Sequence, residues 1–207
     1  MFISFEGIDG SGKSTQLALL RDWLDQRGRE VLTIREPGAT LLSESIREIL
    51  LSTKQSITPT AELLLFSAAR TQLVERVIEP ALLEGKFVLC DRFVDSTTAY
   101  QGYGRELSME HVKECNSIAT RGVMPGVTFF IDVAYDQAQQ RMQFHPGGAE
   151  PDRMERAGRA FFERVRTGYL SIASAEPERF VVLNGARERD EIHADVVRNL
   201  SGRLGIA

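Results

Sequence analysis

Five short apolar runs recur along the chain, and stretches with helical spacing of apolar residues separate them. The runs cover residues 2–5, 31–34, 87–90, 127–131 and 180–183. Most of them lack the polar alternation of a half-exposed strand, which is typical of strands buried on both faces of a parallel sheet. Strands that alternate with helices predict an α/β fold in which a five-stranded parallel sheet carries helices on both faces.

The stretches between these runs predict helices at residues 15–26, 41–52, 61–84, 108–121, 135–144, 160–175 and 189–204. Pro80 should kink the third of these helices or restart it, because proline cannot donate the backbone hydrogen bond. Right-handed crossovers place the carboxyl ends of parallel strands at one edge of the sheet. Gly7, Glu36, Asp91 and Asp132 each follow a strand, so we expect them to converge at that edge.

The stretch from Gly7 to Ser14 matches the phosphate-binding pattern G-x-x-x-x-G-K-[ST] without a departure. It lies between the first predicted strand and the first predicted helix, which is the context that this motif requires. Glycines let the backbone wrap an oxyanion, and the N–H groups at the start of the helix point at it. The sequence therefore predicts a nucleoside triphosphate site formed by Gly7, Ile8, Asp9, Gly10, Ser11, Gly12, Lys13, Ser14 and Thr15.

Two side chains of this loop have assigned chemistry. Lys13 can reach the β- and γ-phosphates, and the Ser14 hydroxyl can ligate a magnesium ion. Asp91 and Arg92 follow the third apolar run, where Asp91 could hold the magnesium through water or orient Arg92. Arg92 offers a planar fork that grips a phosphate through two hydrogen bonds. The alternative is that Asp91 and Arg92 form an ordinary surface ion pair.

Length and charge narrow the class of protein. A chain of 207 residues is expected to form one domain, or one domain with a small mobile insertion. The net charge is −4, from 25 Lys and Arg against 29 Asp and Glu, and no basic block suggests a nucleic-acid polymer as partner. No run is apolar enough to span a membrane, and the N-terminus reads directly into a strand, so we expect a cytoplasmic protein. Cys90 and Cys115 fit reduced thiols.

Residues 145–151 form the one strongly flexible stretch of the sequence, rich in glycine and proline. A linker between domains would have this composition, and so would a mobile lid over a nucleotide. We favour a lid at about residues 142–156 within a single domain of residues 1–207, because one helix follows it rather than a second domain. A lid arginine can neutralise phosphate charge and exclude water, and Arg153 is the preferred candidate over Arg141 and Arg156.

Phe66 and Arg70 lie one helical turn apart, at positions i and i+4. Their shared face could stack an aromatic base on Phe66 while Arg70 donates to a base carbonyl. From periodicity alone, a core phenylalanine beside a solvated arginine is the simpler interpretation. Thr97, Tyr100 and Gln101 lie in a polar segment after Arg92 and could contact a pyrimidine and its sugar, but they are equally typical of an ordinary loop.

The loop motif alone allows many functions, and the chain lacks the Asn-Lys-x-Asp motif with which GTPases read their base. Taken together, the segments resemble the bacterial thymidylate kinase family. Arg-Glu-Pro-Gly at 35–38 and Ala-Tyr-Gln-Gly at 99–102 are the most specific pieces in combination. The other matching segments, in the family's order, are residues 5–15, 46–47, 66–70, 88–93, 96–105 and 152–155.

This resemblance implies a P-loop NTPase fold, a homodimer and ATP-dependent, Mg²⁺-dependent phosphorylation of dTMP to dTDP for dTTP biosynthesis, by direct in-line transfer. It implies that Phe66 stacks on thymine and that Arg70 binds a thymine carbonyl. Thr97 and Gln101 would bind the base edge. The dTMP phosphate would be held by Arg47 and Arg92.

The resemblance also implies that Asp9 lies near the deoxyribose 3′-hydroxyl, with Tyr100 beneath the sugar, and that Glu36 helps to shape the acceptor site. In this family either the phosphate loop or the lid supplies an arginine. The loop here offers Asp9 and Gly10 and no arginine. The resemblance therefore implies that the lid supplies the arginine. Arg153 would be the catalytic cation beside Lys13 and Arg92, and Arg141 is assigned to the ATP site.

Two features depart from the family's pattern. The lid is longer and richer in glycine and proline than in many members. Ala39 stands where a second glycine usually follows Pro-Gly. If that position requires a positive φ, the alanine costs on the order of 1 kcal/mol. Two other functions stay open on the sequence: another nucleoside monophosphate or deoxynucleoside kinase, and a nucleotide-binding regulatory module without turnover.

Overall fold

The computed structural model describes residues 1–143 and 152–204, and its centre is one parallel sheet. The strand order is β2-β3-β1-β4-β5, and every neighbouring pair is parallel. This confirms the predicted five-stranded parallel sheet. The strands are β1 Phe2–Glu6, β2 Val31–Arg35, β3 Phe87–Asp91, β4 Val127–Asp132 and β5 Phe180–Asn184.

The predicted helices are found close to their predicted positions, except that the one before the third strand is divided. The predicted helix at 61–84 is divided into α3, a wide π-helical turn at Val74–Ile78, and α4. Pro80 lies in the first turn of α4, where its missing N–H costs little. The described helices are α1 Lys13–Asp25, α2 Leu41–Leu51, α3 Pro59–Leu73, α4 Glu79–Leu83, α5 Val94–Thr97, α6 Met109–Thr120, α7 Tyr135–Gln143, α8 Arg159–Ala175 and α9 Arg189–Leu204.

Residues 94–104 depart most from the sequence reading, which treated them as a polar segment. They form α5 and a second π-helical segment, Thr98–Gly104, that packs against α8. Close packing explains why this conformation holds. A Cβ at Gly104 would lie 2.6 Å from the Phe161 ring, and one at Gly168 would lie 2.8 Å from the Tyr103 ring. The two glycines therefore let this segment approach α8.

Alternate residues of the central strands face opposite sides of the sheet, as the period of two requires. Ile3 and Phe5 of β1 pack with Leu20 and Leu24 of α1. Phe2, on the other face, packs in a second cluster with residues of the chain between α3 and β3. Both faces are therefore covered by helices, as the apolar runs predict.

Phe5 of β1 pairs with Asp91, the last residue of β3, and with Phe129 of β4, which continues past this point to Asp132. The order of the strands reverses at β1, and ligands of open α/β sheets bind in the crevice at such a point. The predicted lid, about 142–156, lies largely outside the described residues, which resume at residue 152. In the described ranges, no helix is both long enough and apolar enough to cross a membrane.

Candidate active site

The loop between β1 and α1 is shaped by glycines with left-handed backbone. Gly10 has φ +80° and Gly12, the N-cap of α1, has φ +103°. A Cβ at Gly7 would lie 2.8 Å from the carbonyl oxygen of Ile131 on β4, so the loop leaves its strand in close contact with the sheet. The Ser11 N–H donates to the carbonyl of Ile8 at 3.2 Å and closes the turn. This wrapped backbone before a helix N-terminus is suited to binding phosphate.

The ammonium group of Lys13 lies inside this loop. Its Nζ donates to the Ile8 carbonyl at 3.1 Å and lies 3.6 Å from Oδ1 of Asp9. Burial, and then the nearby Arg92 charge, lower the pKa of Lys13, while Asp9 opposes the shift. Burial alone would raise the pKa of Asp9, but Arg92 and Lys13 together hold it below its ordinary value. The loop thus has one carboxylate between two cations.

Ser14 and Asp91 lie side by side at the ends of α1 and β3. The Ser14 hydroxyl donates to Oδ2 of Asp91 at 2.7 Å. Hard oxygen donors of this kind suit Mg²⁺, which is usually bound through one or two carboxylates together with substrate phosphates. Within residues 1–143 and 152–204, no group of three or more His, Cys, Asp and Glu could hold a metal by itself. A magnesium ion at this pair would therefore depend on phosphate oxygens.

A cleft beside the loop gathers all nine residues predicted to bind the acceptor. They are Asp9, Glu36, Arg47, Phe66, Arg70, Arg92, Thr97, Tyr100 and Gln101, joined by Pro37, Leu51, Ser96, Asp152, Met154 and Glu155. Phe66 lies against a small cluster between α2 and α3, formed by Ile46, Leu50 and Ala69. Asp9 belongs to both the loop and the cleft, so the two sites are adjacent.

Arg70 is not the solvated arginine that periodicity alone favours, since it is only 2% exposed. All five of its N–H donors are engaged. Nε and Nη2 donate to Oε2 of Glu36 at 2.8 and 2.6 Å, and Nη2 also donates to the Phe93 carbonyl. Nη1 donates to Thr97 at 2.8 Å and to Asn116 at 3.3 Å. Donation to a thymine carbonyl stays a prediction, and it would require Arg70 to share or release its longest bond.

Glu36 holds Arg70 from the end of β2 and is itself buried. Its Oε1 has no hydrogen-bond partner, although the residue lines the cleft. Burial raises the pKa of Glu36, against the lowering effect of Arg70. Arg47 donates to the carbonyl of Pro37 at 3.2 Å, so the Arg-Glu-Pro-Gly segment positions two cations at the cleft.

Arg92 links the cleft to the phosphate loop. Its Nη2 donates to Asp9 at 2.8 Å, its Nη1 donates to Ser96 at 3.3 Å, and its guanidinium lies 5.0 Å from the centre of the Tyr100 ring. Arg92 has φ +71°, a strained conformation for a residue with a side chain, of a kind that clusters at functional sites. The alternative of an Asp91–Arg92 surface pair is wrong for this structure, because Asp91 contacts Ser14 and Arg92 pairs with Asp9.

Glu6, at the end of β1, contacts the residues that follow Arg92, and the sequence did not identify it as a site residue. It is fully buried, and its carboxylate accepts from the Phe93 N–H, Ser96 and Tyr169 at 2.6 to 2.8 Å. Burial and the neighbouring Asp95 raise the pKa of Glu6 to about 7. A glutamate that ends an apolar strand is the sequence signal that could have identified it.

The predicted lid arginines lie at different places. Arg153 donates from Nη1 to Glu62 at 2.6 Å and from Nε to the Leu50 carbonyl at 2.8 Å. Arg141 donates to the carbonyls of Ser11 and Gly185 at 3.4 and 2.8 Å, so it borders the phosphate loop. Arg156 lies in a 3₁₀ turn, Glu155–Ala157.

Comparisons with known proteins agree with this geometry. A family model described as thymidylate kinase matches residues 5–196. The chain is 49% identical over 210 residues to a thymidylate kinase of Chlorobium luteolum, covering 99% of this chain and 98% of the relative. It is 50% identical over 198 residues to one of Kosmotoga olearia, covering 96% and 94%. The crystal structure of thymidylate kinase from Ehrlichia chaffeensis superposes with a TM-score of 0.79 at 37% identity, covering 97% of this chain and 98% of that chain. The parallel sheet, the phosphate loop and these relatives show that the chain belongs to the thymidylate kinase family and has the P-loop NTPase fold.

Proposed function

We propose that this protein transfers the γ-phosphoryl group of Mg-ATP directly to dTMP, which yields ADP and dTDP for dTTP biosynthesis. The observation that carries the proposal is the adjacency of two sites, a phosphate loop and a cleft with cations and an aromatic wall, which share Asp9. In-line transfer requires alignment of donor and acceptor more than it requires covalent chemistry from the protein. Two facing sites supply that alignment.

Charge neutralisation at the transferred group would come from the cations that line this junction. Lys13 is held in the loop by Ile8 and Asp9, so its ammonium would meet the β- and γ-phosphates without reorganisation. Arg92 is fixed by Asp9 and Ser96, and Arg47 stands on the α2 side of the cleft. Their positions support a role as the clamp for the dTMP phosphate.

Ser14 and Asp91 are the residues that would hold the magnesium ion. When bound, the ion supplies positive charge at the phosphate oxygens. Asp91 accepts from the Ser14 hydroxyl at 2.7 Å, so the two oxygens are close enough to contact one ion. The acceptor-binding roles of Phe66, Thr97, Tyr100 and Gln101 are part of the same proposal, supported by their common cleft.

The lid at about 142–156 and its arginine belong to the proposal as well. Arg153 would have to leave Glu62 and Leu50 to reach a phosphate, whereas Arg141 already borders the loop through Ser11. We therefore propose Arg153 as the cation of a closed state and Arg141 as a contact of bound ATP.

A coupled assay of ADP release tests the function. Purified protein with Mg-ATP is given dTMP, UMP, CMP, AMP and thymidine in turn, and Lys13→Ala serves as the control for contaminating kinases. A preference for dTMP is expected, with little transfer to thymidine, which has no phosphate for Arg47 and Arg92 to hold. No preference for dTMP would refute the substrate, and dTMP binding without ADP release would favour the regulatory module.

We also propose that the protein is cytoplasmic and forms a homodimer, in which each protomer is a single domain of residues 1–207. The family resemblance suggests the dimer. Exposed apolar side chains on helices before and after the Asp91-Arg92 loop support it, namely Leu64 on α3 and Ile118 on α6. Sedimentation velocity of the wild type and of Leu64→Glu is the test. A monomer at tens of micromolar would contradict the dimer.

A further inference from the structure

Glu62 is a fully buried carboxylate that the sequence did not predict as a site residue. It lies in the first turn of α3 and is 0% exposed. Its Oε1 accepts from Nε2 of Gln101 at 2.8 Å and from Nε of Arg105 at 3.2 Å. Its Oε2 accepts from Arg105 at 3.1 Å and from Arg153 at 2.6 Å. One side chain thus joins the cleft, the π-helical segment and the stretch that begins at residue 152.

The charge of Glu62 decides what Gln101 presents to the cleft. Burial would raise the pKa of Glu62, but hydrogen bonds from Arg105 and Gln101 lower it overall. An ionised carboxylate only accepts hydrogen bonds. The branch of the Gln101 amide that meets Glu62 must therefore be the NH₂ group, which leaves the carbonyl oxygen as the other branch. Gln101 lines the cleft, so it offers an acceptor there.

The neighbouring wall offers the complementary donor. The Thr97 hydroxyl oxygen accepts from Arg70 at 2.8 Å, so its own proton is available for donation elsewhere. Arg70 would be a second donor if it shared or released its 3.3 Å bond to Asn116. A donor beside an acceptor matches the C4 carbonyl and N3–H of thymine or uracil. It is mismatched with cytosine, which has an amino group at C4 and an acceptor at N3.

We propose that Glu62 is a specificity-determining positioning residue, which fixes the amide of Gln101 so that the cleft selects thymine over cytosine. The inference rests on the proposed function, because it assigns the reading of the base at that same site. Glu62 acts through Gln101 and touches no substrate.

The test is Glu62→Gln, assayed with dTMP and 5-methyl-dCMP, which differ only at the edge in question. The new amide nitrogen takes the Oε1 position, because Oε2 faces two arginines and Oε1 faces one. The Gln101 amide would then turn over. Its oxygen would accept from the introduced NH₂ group, and its own NH₂ group would face the cleft. The ratio of kcat/KM for dTMP over 5-methyl-dCMP is expected to fall by at least about 10-fold, with the KM for ATP unchanged.

A second background separates orientation from packing. Gln101→Met removes the amide, so adding Glu62→Gln to it should leave the ratio within about 2-fold. A comparable loss of the ratio in both backgrounds would overturn the inference, and so would an unchanged ratio in the single variant. Wild-type protein supplies a test that needs no variant, since 5-methyl-dCMP should be at least about 100-fold poorer than dTMP.

These outcomes distinguish the two claims. Wild-type protein that prefers dTMP while 5-methyl-dCMP reacts equally well would overturn the inference and leave the proposed function standing. Wild-type protein without activity on dTMP would overturn both.

Discussion

Arg153→Ala separates two roles for one side chain, an anchor in the observed structure and a catalytic cation in the closed state. The substitution removes the bonds from Nε to the Leu50 carbonyl and from Nη1 to Glu62. The backbone bond from Arg153 N–H to the Leu51 carbonyl at 3.3 Å is kept. Stability and turnover therefore report different parts of the residue.

The stability loss follows from these contacts. A hydrogen bond to a charged group contributes about 1.5–3 kcal/mol, and a neutral one about 1 kcal/mol. Glu62 keeps Arg105 and Gln101 as partners, so its charge is not left unpaired and the full penalty of a broken buried pair does not apply. Together these losses should lower the free energy of unfolding by about 2.5–4 kcal/mol. For a chain of this size that lowers Tm by roughly 5–16 °C.

The catalytic loss is measured at saturating Mg-ATP and dTMP, well below the Tm of the variant. A transition-state charge contact is worth about 10²-fold in kcat or more. Arg153→Lys is the matched variant, because it keeps the charge and loses the fork. If kcat of Arg153→Ala stays within about 3-fold while Tm falls, the catalytic role is refuted and the anchor remains. If Tm is unchanged, the reasoning from the Glu62 contacts is refuted.

Three further substitutions test local arguments. Ala39 has φ +65°, so Ala39→Gly should raise the free energy of unfolding by about 1 kcal/mol in urea titrations, and a loss would contradict this. Burial raises the pKa of Glu6 from 4.5 to about 7. Between pH 4.5 and about 7 the unfolded chain loses this proton before the folded chain does, so the free energy of unfolding decreases as pH rises. Glu6→Gln removes the titrating group and should reduce this decrease. An unchanged pH dependence of the free energy of unfolding would refute the argument. Arg141→Ala should raise the KM for ATP by about 10-fold with a smaller effect on kcat, because Arg141 braces Ser11 and Gly185; an unchanged KM would contradict that role.

The sequence predicts the features that depend on local pattern. Apolar runs locate the strands, and the phosphate loop is readable because its glycines and Lys13 have fixed spacing. The acceptor-binding residues implied by family resemblance, Phe66 and Gln101 among them, do lie in one cleft. Their individual contacts with a ligand stay predictions.

What the sequence misses depends on contacts between distant residues. The N–H donors of Arg70 are all bound by groups from three separate segments, Glu36 after β2, Phe93 and Thr97 at α5, and Asn116 on α6. The sequence around Arg70 does not indicate these partners. The same holds for Glu62, whose surroundings in the sequence are those of an ordinary amphipathic helix. The π-helical segment 98–104 depends on packing against α8, which local propensity does not encode.

The tight approach of α7 to the phosphate loop constrains how this enzyme could diverge. A side chain at position 10 would collide with the backbone carbonyl of Ala138, and Gly10 has a left-handed φ besides. Placing a cationic side chain at this position would thus require α7 to move away from the loop. A change at position 10 therefore depends on a matching change in the position of α7 as well as on the loop backbone.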